Sequence, residues 1–178
     1  MSSKDQELYS KLSIRPINSA IDADDFFVWA SDDLLVTRFC TWDSYKSKEQ
    51  AIEYINDNAI KHPYFKVICL NNKAIRAISL TLNDGNDKCR GELGYGLARE
   101  YWGRGIAMWA AEAVVSTVFE ERLELERVET LVDLENSGSE KVLEKVGFVK
   151  EGVLKKYCIL KGKIRDMIIF SFLREDKP

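Results

Sequence analysis

The sequence has one histidine, His62, and four cysteines, Cys40, Cys69, Cys89 and Cys158, no two of which form a C-x-x-C pair. Most zinc sites need several Cys or His ligands at short spacing, so this scarcity excludes them and no metal is expected. Scattered cysteines behind a polar start, with no apolar leader, read as reduced thiols of an intracellular, cytoplasmic protein. No run approaches the roughly 20 apolar residues of a membrane span, so no membrane partner is expected. An excess of one charge is missing too: 29 acidic and 26 basic residues leave a net charge of −3, with no long block of either sign. A nucleic-acid-coating protein would show a basic surplus, so nucleic acid is not an expected partner. Repeats, low-complexity tracts and linkers are also absent. The 178 residues fit one domain, expected over 11–174, with residues 1–10 a disordered N-terminal tail.

Hydrophobic patterning places a strand over 12–17, ending near Pro16, and a helix over 22–30. Ser47-Lys-Glu-Gln50 fits a capping box that opens a helix to about residue 60, which His62-Pro63 closes. Strands over 65–70 and 74–82 flank a short polar turn and predict a hairpin. A strand over 90–97, a helix over 106–119 and a strand over 127–134 follow. Ser137-Gly-Ser-Glu140 is a second capping-box match, opening a helix that Gly147 stops. Strands over 155–160 and 163–173 make a terminal hairpin. The order β-α-α-β-β-β-α-β-α-β-β predicts an α/β (α+β) single domain, a mixed central sheet flanked by helices, with a parallel crossover within 90–134.

The chemistry concentrates in residues 91–107. On a strand, Glu92, Gly94 and Gly96 share one face and Leu93, Tyr95 and Leu97 the other. Two alternate glycines leave nearly bare backbone, which suits either a neighbouring element or a ligand lying against the main chain. Trp102-Gly103-Arg104-Gly105-Ile106-Ala107 then joins strand to helix. Its small residues let backbone N–H groups converge at the helix N-terminus, and Arg104 adds positive charge, so the turn suits a phosphate. An ordinary tight turn is the alternative. The third glycine of a Rossmann fingerprint and the G-K-[ST] of a P-loop are both missing.

This segment resembles the GNAT superfamily of acetyl-CoA-dependent N-acetyltransferases, whose motif Q/R-x-x-G-x-G/A maps onto residues 102–107 with Trp102 in place of Gln or Arg. The Tyr-Trp-Gly-Arg-Gly form is typical of the branch related to ribosomal-protein N-terminal (alanine/serine) acetyltransferases. Asn136-Ser-Gly-Ser139 and Val142-Leu-Glu-Lys-Val-Gly-Phe148 resemble the family's N-x-x-S…L-x-K-x-G-F element. Ile14-Arg-Pro-Ile17, Trp29-Ala-Ser-Asp32, Glu151-Gly152 and Asp166 extend the resemblance over nearly the whole chain.

The resemblance implies acetyl-CoA as cosubstrate, its pyrophosphate on the amides of residues 102–107 and its pantetheine arm along Tyr95-Gly96-Leu97 and Asn136. It implies a primary amine as acceptor, either a small molecule or a peptide or protein N-terminus, and leaves monomer or homodimer open. Glu92 is the candidate general base because it shares the glycine face; a carboxylate at the strand edge, paired with Arg90, is the other reading. Many family members carry a tyrosine where this chain has Leu143, so Ser139 is the candidate proton donor, with Tyr157 in reserve. The competing function is a non-catalytic CoA-binding or interaction module, suggested by Leu143 and Trp102. The aromatics Phe26, Phe27, Trp29, Phe39 and Trp42 read mostly as core, with Phe39-Cys-Thr-Trp42 on the acceptor side by resemblance. His62 reads as a surface residue, Cys89 as exposed, and Cys69 and Cys158 as small packed hydrophobes.

Overall fold

A computed structural model describes residues 3–31, 39, 44–97 and 99–176. Among the described residues five α-helices, α1 (Ser3–Tyr9), α2 (Ser19–Ser31), α3 (Lys48–Tyr54), α4 (Ile106–Glu121) and α5 (Ser137–Val146), accompany seven strands. The strands are β1 (Leu12–Pro16), β2 (Phe65–Leu70), β3 (Lys73–Leu82), β4 (Arg90–Tyr95), β5 (Arg127–Asp133), β6 (Val149–Leu160) and β7 (Lys163–Leu173). They form one sheet in the order β1-β2-β3-β4-β5-β7-β6. Every pairing is antiparallel except β4 with β5, the predicted crossover through α4. The predicted element order is therefore observed, with α1 added in front.

The β2–β3 hairpin turns on Asn71 (φ 51°) and Asn72 (φ 66°), the left-handed pair that a two-residue turn matched to strand twist requires. Along β2, Val67 and Cys69 enter one core and Ile68 the other, so the sheet is covered on both faces. The larger core lies against α4 and α5 and includes Ile106, Val114, Phe119 and Leu143; the smaller lies against α2 and α3 and includes Phe26, Trp29 and Ile55.

Four expectations are corrected. Residues 3–9 form a helix where a disordered tail is predicted: seven residues are too few for an independent helix, but Leu8 and Tyr9 pack against the larger core and hold it. The 90–97 strand ends at Tyr95. The last hairpin's first strand starts at Val149, not 155, because its solvent-facing charges and Glu151-Gly152 mask an edge strand that bulges twice. The cap of α5 is Asn136 and not Ser137: the Asn136 side chain accepts from the Ser139 N–H at 3.2 Å. Ser47 does cap α3, accepting from the Gln50 N–H, while Gln50 Oε1 accepts from the N–H of Lys46.

Cys69 is buried and Cys89 exposed, as predicted, and Cys158 is half-buried. Cys40, Thr41, Trp42 and Asp32 lie outside the described residues. Among the described residues no helix is long and apolar enough to cross a membrane.

An ionic chain laces one end of the sheet. Arg90 on β4 donates to Glu129 on β5 at 2.6 Å, and Arg127 donates to Glu129 at 2.8 Å. Both terminal nitrogens of Arg127 then hold Glu151 on β6 at 2.7 Å, and the Ser171 hydroxyl of β7 donates to the same carboxylate. Arg127 and Ser171 hold the Glu151 carboxyl down at about 2, below its ordinary 4.5. A depressed carboxyl stabilises the fold above its ordinary value, and that contribution disappears as pH falls through the folded-state value. Solvent reaches this pair, so the contribution at neutral pH is about 1 kcal/mol or less. Thermal midpoints of Glu151→Gln should lie slightly below wild type at neutral pH and converge with it as the pH approaches about 2; a constant offset would contradict this.

Candidate active site

The site arises where β4 and β5 part. Their ladder holds only Arg90↔Arg127, Gly91↔Val128 and Glu92↔Glu129. β4 stays paired with β3 out to Ile78↔Tyr95, and β5 with β7 out to Asp133↔Met167. Each strand keeps its outer neighbour and loses its inner one, so the gap leaves backbone donors and acceptors of both inner edges free for a ligand. A cavity of about 1310 Å³ occupies this opening. Every predicted site residue lines it: Glu92, Tyr95, Gly96, Leu97, residues 102–107, Asn136 and Ser139. Tyr157, the reserve donor, is exposed on β6 and does not.

The glycine face has a neighbouring strand against it and also borders the cavity. A Cβ on Gly94 would sit 3.3 Å from Ser79 Oγ, and one on Gly96 would sit 3.0 Å from Arg76 Nε, so side chains of β3 press on this backbone. Both glycines also border the cavity. Arg76 is buried, donates to the Trp29 carbonyl at 2.8 Å and stacks over the Trp29 ring. Sequence patterning did not single it out, because a lone arginine inside a strand carries no spacing signal.

Beyond Leu97, a short 3-10 turn (Arg99–Tyr101) leads to the glycine turn. The Trp102 indole N–H donates to the Leu97 carbonyl at 2.8 Å and ties the turn to the end of β4. Gly103 and Gly105 take φ of 71° and 74°, which only glycine adopts freely. Gly105 is the N-cap of α4 and offers no side-chain cap, and the first turn of α4 has no acidic residue. The first closing bond of α4 runs from Trp109 N–H to the Gly105 carbonyl, leaving the N–H groups of Ile106, Ala107 and Met108 without helical acceptors. By contrast, α3 and α5 have side-chain caps and carry Glu49 and Glu140 in their first turns. Of the two helix N-termini that line the cavity, those of α4 and α5, that of α4 is thus the one left electrostatically open, with Arg99, Arg104 and Lys145 also lining the cavity.

Glu92 belongs to the last pair of the β4–β5 ladder, at the floor of the opening. Arg90, its partner in the alternative reading, goes to Glu129 and Asp87 instead, and no ion pair among the described residues reaches Glu92. Partial desolvation against the sheet, then repulsion from Glu129, raises its carboxyl above the ordinary value, with Arg90 opposing. Across the opening, the Tyr95 hydroxyl donates to the Ser139 carbonyl at 3.4 Å, and burial pushes that phenol up to about 12. No described residue hydrogen-bonds the Ser139 hydroxyl. Leu143, where the family tyrosine would stand, is fully buried in the larger core.

Asp133, also unremarked in the sequence, is buried at the end of β5, paired with Arg165 and accepting the Glu135 N–H. The Asn136 N–H donates to its carbonyl at 2.7 Å, so this knot fixes where α5 begins. Phe26, Trp29, Phe39, Tyr45 and Tyr54 wall the other end of the cavity. His62 lies away from the cavity and is half-buried: Nδ1 accepts the Tyr64 N–H, and desolvation lowers its pKa. No cluster of metal-ligating side chains occurs among the described residues.

The acetyltransferase (GNAT) domain profile matches residues 11–149. The uncharacterized N-acetyltransferase p20 of Bacillus licheniformis is 30% identical over 147 residues, covering 79% of this chain and 82% of that protein. Among solved structures, RimL, a ribosomal L7/L12 alpha-N-protein acetyltransferase in complex with coenzyme A, superposes with TM-score 0.80 at 20% identity, covering 96% of this chain and 98% of its own. A spermidine N-acetyltransferase from Vibrio cholerae in complex with CoA and spermine superposes with TM-score 0.77 at 20% identity, covering 94% and 98%. The chain belongs to the GNAT family of N-acetyltransferases, enzymes that move the acetyl group of acetyl-CoA to an amine. The comparisons give no support to a non-catalytic module.

Gly105→Ala places a side chain at φ 74° and a Cβ 2.3 Å from the Tyr9 hydroxyl. Urea unfolding should show a loss of about 1–2 kcal/mol from the left-handed strain alone. An unchanged midpoint would mean that the turn relaxes freely.

Proposed function

We propose that the cavity holds acetyl-CoA between the parted strands and that Glu92 and Ser139 handle the protons of acetyl transfer to a protein N-terminus or a small primary amine. The observation that carries this reading is the uncapped, acid-free N-terminus of α4 opening into the same cavity as Glu92 and Ser139. The residues present fit the cofactor: three open N–H groups with Arg104 for its pyrophosphate, and the inner edge at the end of β4, the Tyr95 backbone and the Leu97 N–H beside Gly96, for its amide-bearing arm; the Gly96 N–H itself goes to the Ala77 carbonyl and the Leu97 carbonyl to Trp102. Asn136 also faces the cavity, but its side-chain oxygen already caps α5, which leaves its amide nitrogen as the atom to meet the arm.

Bound acetyl-CoA supplies an activated thioester carbonyl. A carboxylate at the cavity floor with a raised pKa suits proton removal from the incoming ammonium, directly or through water. An α-amine, with an ordinary pKa of about 7.7–8.0, needs less of that help than a lysine at about 10.4. Backbone N–H groups near Leu97 are placed to polarise the carbonyl as the C–N bond forms and the C–S bond breaks. The Ser139 hydroxyl, engaged by no described residue, relays a proton to the departing thiolate. Holding both reactants in one cavity contributes on the order of 7–11 kcal/mol of the barrier. RimL and the spermidine enzyme mark the two kinds of acceptor, and the free thiols of Cys69, Cys89 and Cys158 suit a reducing, cytoplasmic setting.

Titration calorimetry with acetyl-CoA, followed by thiol release over a panel of peptides and amines, tests the activity; binding without turnover on any acceptor would contradict it. Glu92→Gln should lower kcat by about 100-fold or more with cofactor affinity retained. Because the base works deprotonated and its pKa is raised, wild-type kcat/KM should fall as pH drops through a value above 4.5, and this limb should vanish in the variant. Ser139→Ala should also lower kcat at unchanged cofactor affinity. Unchanged pH–rate profiles in both variants would remove these roles.

A further inference from the structure

The glycine turn has a neighbour that is remote in sequence. A Cβ built on Gly105 would lie 2.3 Å from the Tyr9 hydroxyl oxygen, 3.5 Å from Cζ and 3.8 Å from Cε1. The tip of the Tyr9 phenol therefore rests on the backbone of the turn that opens α4. Leu8 and Tyr9 line the same cavity as residues 102–107, and both pack against the larger core. Tyr9 is thus anchored by its ring while its hydroxyl stands over the turn. No hydrogen bond from a described residue reaches that hydroxyl. A phenolic O–H without a protein partner, beside helix N–H groups that also lack acceptors, adds a donor to a place already rich in them.

We propose that the Tyr9 hydroxyl is a further donor of the phosphate cradle, binding the pyrophosphate of coenzyme A together with Arg104 and the open N–H groups of Ile106, Ala107 and Met108. The inference rests on the cofactor reading above and extends it to a residue outside the glycine motif. It also gives α1 a purpose: the helix braces a binding group against the turn. Gly105 then serves two ends, the left-handed backbone and the room for Tyr9.

Tyr9→Phe keeps the ring and its packing and removes only the donor. Titration calorimetry should show the affinity for acetyl-CoA falling about tenfold, as expected for a hydrogen bond to a charged group. The same loss should appear with dephospho-CoA, which keeps the pyrophosphate, and be absent with S-acetylpantetheine, which lacks it. Equal acetyl-CoA affinity in variant and wild type overturns the proposal. So does an equal loss on S-acetylpantetheine, which would mean general loosening of the cavity, or a loss confined to ligands carrying the 3′-phosphate. If wild type fails to bind acetyl-CoA at all, the cofactor reading itself falls, a result separate from any behaviour of the variant.

Discussion

The separation of β4 from β5 after a single short ladder is the constraint on which the rest of the molecule depends. Two parallel strands at the centre of a sheet ordinarily satisfy each other's backbone along their length. Here they do so only at Arg90–Glu92 against Arg127–Glu129. At that closed end the ladder is laced by the run of charge from Arg90 through Glu129 and Arg127 to Glu151 and Ser171, which reaches across β5 and β7 to β6. With that end pinned and the outer partners β3 and β7 fully paired, the open end has room for a guest and little freedom to collapse.

The other elements arrange themselves around this opening. The Trp102 indole and the two left-handed glycines fold the chain back so that α4 points its positive end into the gap. On the far side, Asp133, Arg165 and Asn136 settle where α5 begins and bring Ser139 to the rim. Glu92 is left without a cation at the floor because the nearest arginine is committed to Glu129. Desolvation and the nearby Glu129 then raise its carboxyl above the ordinary value.

Much of this was legible in the sequence because it rests on local rules. Alternation and caps locate nearly every strand and helix, Asn71-Asn72 marks the hairpin, and the spacing of Gly103 and Gly105 marks the turn. The misses share one physical cause, which is that tertiary contact overrides local preference. The helix ending at Tyr9 exists because the core receives Leu8 and Tyr9. The early half of β6 is an edge whose charges read as loop. Asn136 outcompetes Ser137 as cap where the Asp133 carbonyl holds its backbone. Arg76 and Asp133 matter through partners far away in sequence, which no window of residues shows. The site motif was readable through its glycines, while the distinction between a glycine that admits a ligand and one that admits Arg76 needed three dimensions.

One feature of α4 bears on how the protein responds to what it binds. The helix that presents its bare first turn to the cavity also buries more residues than any other described helix, with Ile106, Ala110, Ala111, Val114, Val115, Val118 and Phe119 buried along its 16 residues. The anion-attracting end cannot shift without disturbing the packing of the whole rod, and close-packed interiors resist such sliding. The ligand therefore meets an anvil and not a hinge. The opposite wall is built differently, from the aromatic side chains of Phe26, Trp29, Tyr45 and Tyr54 stacked on one another over α2 and α3.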